Sequence, residues 1–196
     1  MRGATDPARL RNGRGQRKYL CGSERRRFVA AAARMDAESY AFCRLLAYTG
    51  CRISEGLELK PERLDAENKS VVFRTLKRRR LIFRAVPIPA ALMRDLGRLA
   101  RDKHPDAPMW SWSRPTAWRR ICWAMAEAGI SGPHAVPKGL RHGFGVVNAE
   151  KNVPMGLTRE WMGHADIATT AIYQHAMGNE ERSFAKRIWR EFGVEE

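Results

Sequence analysis

The sequence contains no Cys-x-x-Cys pair. Its four cysteines, Cys21, Cys43, Cys51 and Cys122, are scattered, which argues against a zinc site or a disulfide frame and for four reduced thiols, some of them buried. No uninterrupted apolar run is long enough to span a bilayer. The opening residues Met1-Arg2-Gly3-Ala4-Thr5-Asp6-Pro7 lack the apolar core of a signal peptide, so the expected location is cytoplasmic. There is no Gly-Lys-Ser/Thr loop to cradle phosphates and no carboxylate cluster suited to magnesium. The chemistry is therefore expected to need no metal, no ATP and no other cofactor. Internal repeats are absent.

Negative charge is also scarce. Against 36 Lys and Arg stand 21 Asp and Glu, a formal net charge of +15 over 196 residues. Such an excess repels itself unless an anionic partner neutralises it. Nucleic acid is the leading partner and an acidic membrane surface the next. Contacts from Lys and Arg to phosphates would make binding fall steeply with salt. The 44% hydrophobic content suits one soluble domain with a sizeable core. Residues 1–20 are rich in Arg and Gly without apolar periodicity, which predicts a flexible basic tail. Residues 21–196 are expected to form the single domain.

Helical periodicity dominates that domain. Ser23 is a candidate N-cap for a helix with Phe28, Val29, Ala32 and Met35 on one face. A second helix is predicted from Ala37 to Thr49, stopped by Gly50. Ser54 is a candidate cap for a short helical turn ended by Pro61. The β signal is confined to Val71–Leu76 and Leu81–Val86, which flank the basic turn Lys77-Arg78-Arg79-Arg80 and predict a hairpin. Pro89 opens a helix through Leu99, and Ser113 caps another that carries Trp118 and Ile121. Further helices are predicted over Leu140–Glu150, Thr158–Met162, Ile167–Tyr173 and Asn179–Phe192. The expected fold is mainly α with a small antiparallel β-sheet (α+β).

Four segments carry groups suited to phosphate chemistry. In Thr49-Gly50-Cys51-Arg52-Ile53-Ser54-Glu55, Arg52 lies between a helix end and a helix start, whose amides favour an anion. A plainer explanation is a surface arginine paired with Glu55 or Glu58. In Pro137-Lys138-Gly139-Leu140-Arg141-His142, Lys138 and Arg141 share a helical face. A solvated basic face explains that pair equally simply, and His142 is expected to point elsewhere, as a core or supporting histidine. His164 follows a glycine at a bend, and Tyr173 ends a short helix. A phenol can attack phosphorus while guanidinium forks hold the phosphate oxygens. A structural histidine and a half-buried tyrosine are the corresponding plain explanations. The turn Lys77–Arg80 reads as a DNA contact or as a loop that blocks aggregation.

Taken together and in this order, these segments resemble the catalytic domain of the tyrosine recombinase, or phage integrase, family, over residues 18 to 192. The resemblance implies that Arg52 and Arg141 clamp a scissile DNA phosphate and that Lys77 protonates the leaving 5′ oxygen. It implies that His164 hydrogen-bonds the phosphate, that Tyr173 is the nucleophile and that the intermediate is a 3′-phosphotyrosine. Glu55 resembles the acidic residue that supports the first arginine, and His175 a histidine often found just past the tyrosine. Arg78, Arg79 and Arg80 would join Lys77 against DNA, and His142 would play a supporting part.

Two departures stand out. Lys138 occupies a position where the family more often has histidine; lysine can donate a hydrogen bond but is no neutral base at pH 7. The chain also looks like the catalytic half alone, without a separate DNA-clamping domain. Tails like the amphipathic helix over 179–192 dock on a neighbouring subunit in that family, which implies a tetramer on DNA at the nucleoid; packing on its own core is the alternative. Besides a recombinase or integrase acting in DNA integration and recombination, two further functions stay open. One is a type IB topoisomerase, which shares the Arg, Lys, Arg, His, Tyr set. The other is a catalytically silent DNA-binding accessory protein derived from a recombinase.

Overall fold

A computed structural model describes residues 10–77, 80–164, 167–173 and 190–192, with backbone only for residues 76, 77, 80 and 81. Among the described residues, eight α-helices and three strands run in the order α1 (Gly22–Ala32), α2 (Ala37–Thr49), α3 (Ile53–Leu57), β1 (Leu64–Asp65), β2 (Ser70–Lys77), β3 (Arg80–Pro87), α4 (Ala90–Ala100), α5 (Arg114–Glu127), α6 (Pro137–Glu150), α7 (Met155–Met162) and α8 (Ala168–Ala171). The α+β class read from the sequence is the observed one. Among the described residues no helix is long and apolar enough to cross a membrane.

Helix α2 is the axis of the core. Its sequence AESYAFCRLLAYT is apolar nearly all round, so it is wrapped rather than laid on a surface. Ala41, Phe42, Cys43, Leu45, Leu46 and Ala47 are all buried, and α1, α3, α4 and α6 pack around them. Asp36 caps its start by accepting from the Ser39 amide. Gly50 ends it at φ 62°, a left-handed conformation that side chains resist. A Cβ on Gly50 would also lie 2.6 Å from the Phe144 ring. This tight stop aims the chain directly into the Arg52 segment.

The sheet order is β1-β2-β3, antiparallel throughout. Val71, Phe73 and Val86 face the core, as strand alternation requires. Lys77 pairs with Arg80 in the ladder, so the strands extend one residue further into the basic turn than expected. Arg78 and Arg79 lie outside the described residues, as do the side chains of Lys77 and Arg80. Strand β1 escaped sequence reading because two residues display no period.

The loop after α4 is tied to α3. Met109 N–H donates to the Leu59 carbonyl at 2.8 Å, and Trp110 Nε1 donates to the Gly56 carbonyl at 2.8 Å. Trp110 also meets Phe42 edge-on with ring centroids 5.1 Å apart. These anchors fix α3, and with it Arg52, to the core helix.

Two helix starts differ from expectation for one reason. Helix α1 is capped at Cys21 rather than Ser23, and α3 at Arg52 rather than Ser54. In each, the glutamate three residues on reaches back to the cap amide: Cys21 N–H to Glu24 at 3.0 Å, Arg52 N–H to Glu55 at 2.8 Å. Helix α6 begins at Pro137, since proline suits the first helical position. From residue 10 on, the tail expected through residue 20 also differs. Lys18 N–H donates to the Leu10 carbonyl at 2.8 Å, a bridge joins Arg11 and Arg17, and Leu10 and Leu20 are buried. Leu10 joins Phe144, Val146, Met162, Ile172 and Tyr173 in a small second core. The expected helix over 179–192 lies outside the described residues except for 190–192.

Candidate active site

Arg52, Lys138, Arg141, His142, His164 and Tyr173 line one cavity of about 540 Å³. They come from the start of α3, one face of α6, and the segments two residues beyond the ends of α7 and α8. A larger cavity of about 890 Å³ between α1, α2 and α6, bordered by Arg25, Tyr48 and Glu150, contains none of the candidate site residues.

Arg52 is held from below. Glu55 accepts from its backbone N–H at 2.8 Å and from its Nη1 at 2.8 Å, while the side chain stays 45% exposed. Glu55 is itself held by a residue that sequence reading missed. Arg84 Nη2 donates to Glu55 at 2.7 Å, Arg84 Nε to the Trp161 carbonyl at 2.9 Å, and Arg84 Nη1 to Thr75. Thr75 in turn donates to Glu55 at 2.9 Å. Burial alone would raise the Glu55 pKa; the Arg84 charge and the donated hydrogen bonds outweigh it and draw it down to about 2. Arg84 joins the hairpin, α3 and α7 at one buried point.

Neutralising Glu55 strands the Arg84 charge in the interior. Glu55→Gln is expected to cost about 3–5 kcal/mol of stability at pH 7, read by chemical denaturation. The Glu55 pKa is depressed on folding, so its contribution is full above about 4.5 and is lost as pH falls toward about 2. The stability gap between wild type and Glu55→Gln should therefore narrow over that window. A gap that stays constant would contradict the ion pair.

Arg141 lies on α6 and bridges two helix ends. Its Nη1 donates to the Gly50 carbonyl and its Nη2 to the Met162 carbonyl, each at 2.7 Å. Burial first, then the charge of Arg52 across the cavity, lower its pKa to about 10; it remains cationic at neutral pH. Lys138 sits one turn earlier and is exposed. Two cations with few counter-charges on a concave wall constitute an anion site.

Tyr173 is 2% exposed, its ring packed in the second core. The His164 ring stacks on it at 6.2 Å and 18°, and His164 Nδ1 lies 2.9 Å from Thr170 Oγ1. His142 Nδ1 lies 3.1 Å from the Tyr173 hydroxyl. His142 thus points into the site and not away from it: it follows Lys138 by four residues, the spacing that shares a helix face. Burial raises the Tyr173 pKa to about 12, against the opposing pull of Arg141 and Arg52. The phenol is protonated at neutral pH.

Gly145 makes room for that ring. A Cβ there would stand 2.5 Å from Tyr173 Cδ2 and Cε2. Gly145→Ala is expected to displace the phenol by about an ångström and to slow any chemistry at its oxygen by roughly 10²-fold, leaving α6 folded. A rate unchanged in single-turnover assays would show that the ring position is not critical.

Arg114 and Trp118, both on α5, also line the cavity. Sequence reading placed Trp118 on that helix without assigning it to the site. Lys77 ends β2, but its side chain, like Arg78, Arg79 and His175 as whole residues, is outside the described residues.

The phage integrase family model matches residues 18–180. Tyrosine recombinase XerA of Pyrococcus furiosus is 30% identical over 139 residues, 66% of this chain and 47% of that protein. Tyrosine recombinase XerD of Mycobacterium tuberculosis is 32% identical over 144 residues, covering 68% of this chain and 46% of XerD. The crystal structure of XerA recombinase superposes with a TM-score of 0.72 at 25% identity, over 86% of this chain and 64% of that one. A XerH recombinase captured on its difH substrate after cleavage gives a TM-score of 0.74 at 20% identity, over 88% and 53%. The chain spans about half the length of the curated relatives it matches. With the boxes around Arg52, Arg141, His164 and Tyr173 gathered on one cavity, and with a family model spanning most of the sequence, the chain belongs to the phage integrase family of tyrosine recombinases.

Proposed function

We propose that this chain cuts and rejoins double-stranded DNA through Tyr173. The observation that carries the reading is the convergence of Arg52, Arg141, Lys138 and the Tyr173 hydroxyl on one cavity of an otherwise basic protein. Tyr173 Oη attacks the scissile phosphorus, the P–O5′ bond breaks, and a 3′-phosphotyrosine and a 5′ hydroxyl result. Arg52 and Arg141 neutralise the non-bridging oxygens; such preorganised donors are usually worth about a hundredfold or more in rate each. Lys138 adds a third cation. His164, steadied by Thr170, donates to the phosphate, and Lys77 protonates the departing O5′. The diester energy is kept in the tyrosyl ester, so rejoining needs neither ATP nor a metal.

Exchange between two duplexes requires four cuts, hence four copies of the chain on paired sites. Arg78, Arg79 and Arg80 contact phosphates beside the cut, and His175 follows the nucleophile by two residues.

A pool of nicked duplexes of randomised sequence tests the proposal without knowledge of the site. The nick lets the short 5′-hydroxyl fragment diffuse away, so cleavage is trapped as a denaturation-resistant protein–DNA adduct. The expected result is an adduct on a selectable subset of the pool. DNA binding without an adduct on any member would instead assign the chain an accessory role. Relaxation of plasmid without sequence selection would assign it topoisomerase activity.

A further inference from the structure

Something must take the proton of Tyr173, and most groups around it are poorly placed to do so. Position 138 holds an ammonium, which has no lone pair at neutral pH. Arg52 and Arg141 are cationic. His164 lies parallel to the phenol ring, with its Nδ1 engaged by Thr170. His142 differs: its Nδ1 lies 3.1 Å from the Tyr173 oxygen, a hydrogen-bonding distance to the reacting atom itself.

We propose that His142 is the catalytic base of this site, accepting the Tyr173 proton on Nδ1 as the phenol oxygen bonds to phosphorus. The inference rests on Tyr173 being the nucleophile. Among the described residues, His142 Nε2 meets no hydrogen-bond partner, so no second hydrogen bond fixes the ring. The hydrogen bond the ring does make is to the nucleophile.

The charges around His142 suit a base that works only with substrate bound. Burial, then Lys138 and Arg141 on α6 and Lys18 ahead of α1, push its pKa down to about 4. The ring is therefore neutral at pH 7, and Nδ1 has a lone pair to offer when Nε2 carries the proton. A phosphate seated between Arg52, Lys138 and Arg141 offsets their charge. Proton affinity at Nδ1 then rises in the complex in which the phenol must lose its proton. In cleavage the Oη–P bond forms, the P–O5′ bond breaks and the Oη proton moves to Nδ1. In rejoining, the 5′ hydroxyl attacks phosphorus and gives its proton to Lys77, the Oη–P bond breaks, and Nδ1 returns its proton to the phenol. The proton on the leaving 5′ oxygen is a separate one, supplied by the cation proposed at Lys77.

The test is single-turnover adduct formation on a nicked duplex selected from the randomised pool, followed against pH. His142→Ala and His142→Asn are compared with wild type, with thermal melting and DNA binding as controls. Both variants should slow cleavage by about 10²–10⁴-fold, because asparagine can accept a hydrogen bond but cannot take the proton. Wild type should lose activity on the acid side as His142 protonates, a limb missing from both variants, and imidazole in the buffer should partly restore His142→Ala. A bridging 5′-sulfur, a leaving group that needs no proton, should leave both variants slow. His142→Asn within about threefold of wild type, with the acid limb intact, would reduce His142 to positioning the phenol and overturn the inference alone. A wild-type chain that forms no adduct on any duplex would overturn the strand-transfer reading and this inference together.

Discussion

Tyr173→Phe is expected to abolish the covalent adduct, with cleavage falling by at least about 10⁴-fold, while DNA affinity changes little. The phenylalanine ring keeps the packing that places Tyr173 among Phe144, Val146, Met162 and Ile172. The loss is confined to the hydroxyl and its hydrogen bond to His142. The phosphate contacts proposed for Arg52, Lys138 and Arg141 do not involve the Tyr173 hydroxyl, so binding measured by fluorescence anisotropy should be near wild type. The contrast between lost chemistry and retained binding distinguishes a nucleophile from a residue that shapes the DNA surface. Equal loss of both would mean that the second core has collapsed.

Arg141→Ala is expected to damage both folding and chemistry. The side chain bridges the carbonyls of Gly50 and Met162, which close α2 and α7. Removing it leaves two acceptors short of a donor, at a cost of about 1–3 kcal/mol each where water does not replace it. It also removes half of the guanidinium pair facing the cavity, so cleavage should fall by roughly 10²–10³-fold or more. Arg141→Lys keeps the charge but loses the planar fork that reaches both carbonyls. It should recover binding better than rate. Full activity in Arg141→Lys would contradict the requirement for bidentate geometry.

The fold was largely legible because its signals are local. The apolar run of Ala37–Thr49 with the glycine after it specifies one helix and the Ser113 cap another, and the structure has both. What the sequence concealed depends on pairing across the chain. Arg84 reads as one more basic residue of the hairpin, yet it occupies the inward parity of Val86 and pairs in register with Phe73. Strand alternation applied to charge as well as to apolar residues would have shown a buried arginine, and a buried arginine requires a carboxylate. Glu55 meets that need, but Arg84 is 29 residues further along the chain.

The cavity residues were selected from four short segments, and the structure gathers Arg52, Lys138, Arg141, His164 and Tyr173 into one place. The Lys138–Arg141 spacing alone leaves His142 pointing elsewhere. Measured from Lys138, the interval of four already placed it on the cavity face. Arg114 and Trp118 carried no signal, since nothing local indicates which side of α5 meets α3 and α6. Leu10 was unreadable for a similar reason: a lone leucine in an Arg- and Gly-rich stretch has no period, and only the second core around Tyr173 gives it a place.

The central claim is that the Tyr173 oxygen becomes esterified to DNA. Peptide mapping of the trapped adduct by mass spectrometry after nuclease digestion addresses it directly. The predicted result is a nucleotide 3′-phosphate on the peptide containing Tyr173, absent from Tyr173→Phe. A nucleotide on any other residue, or an adduct persisting in Tyr173→Phe, would contradict the account.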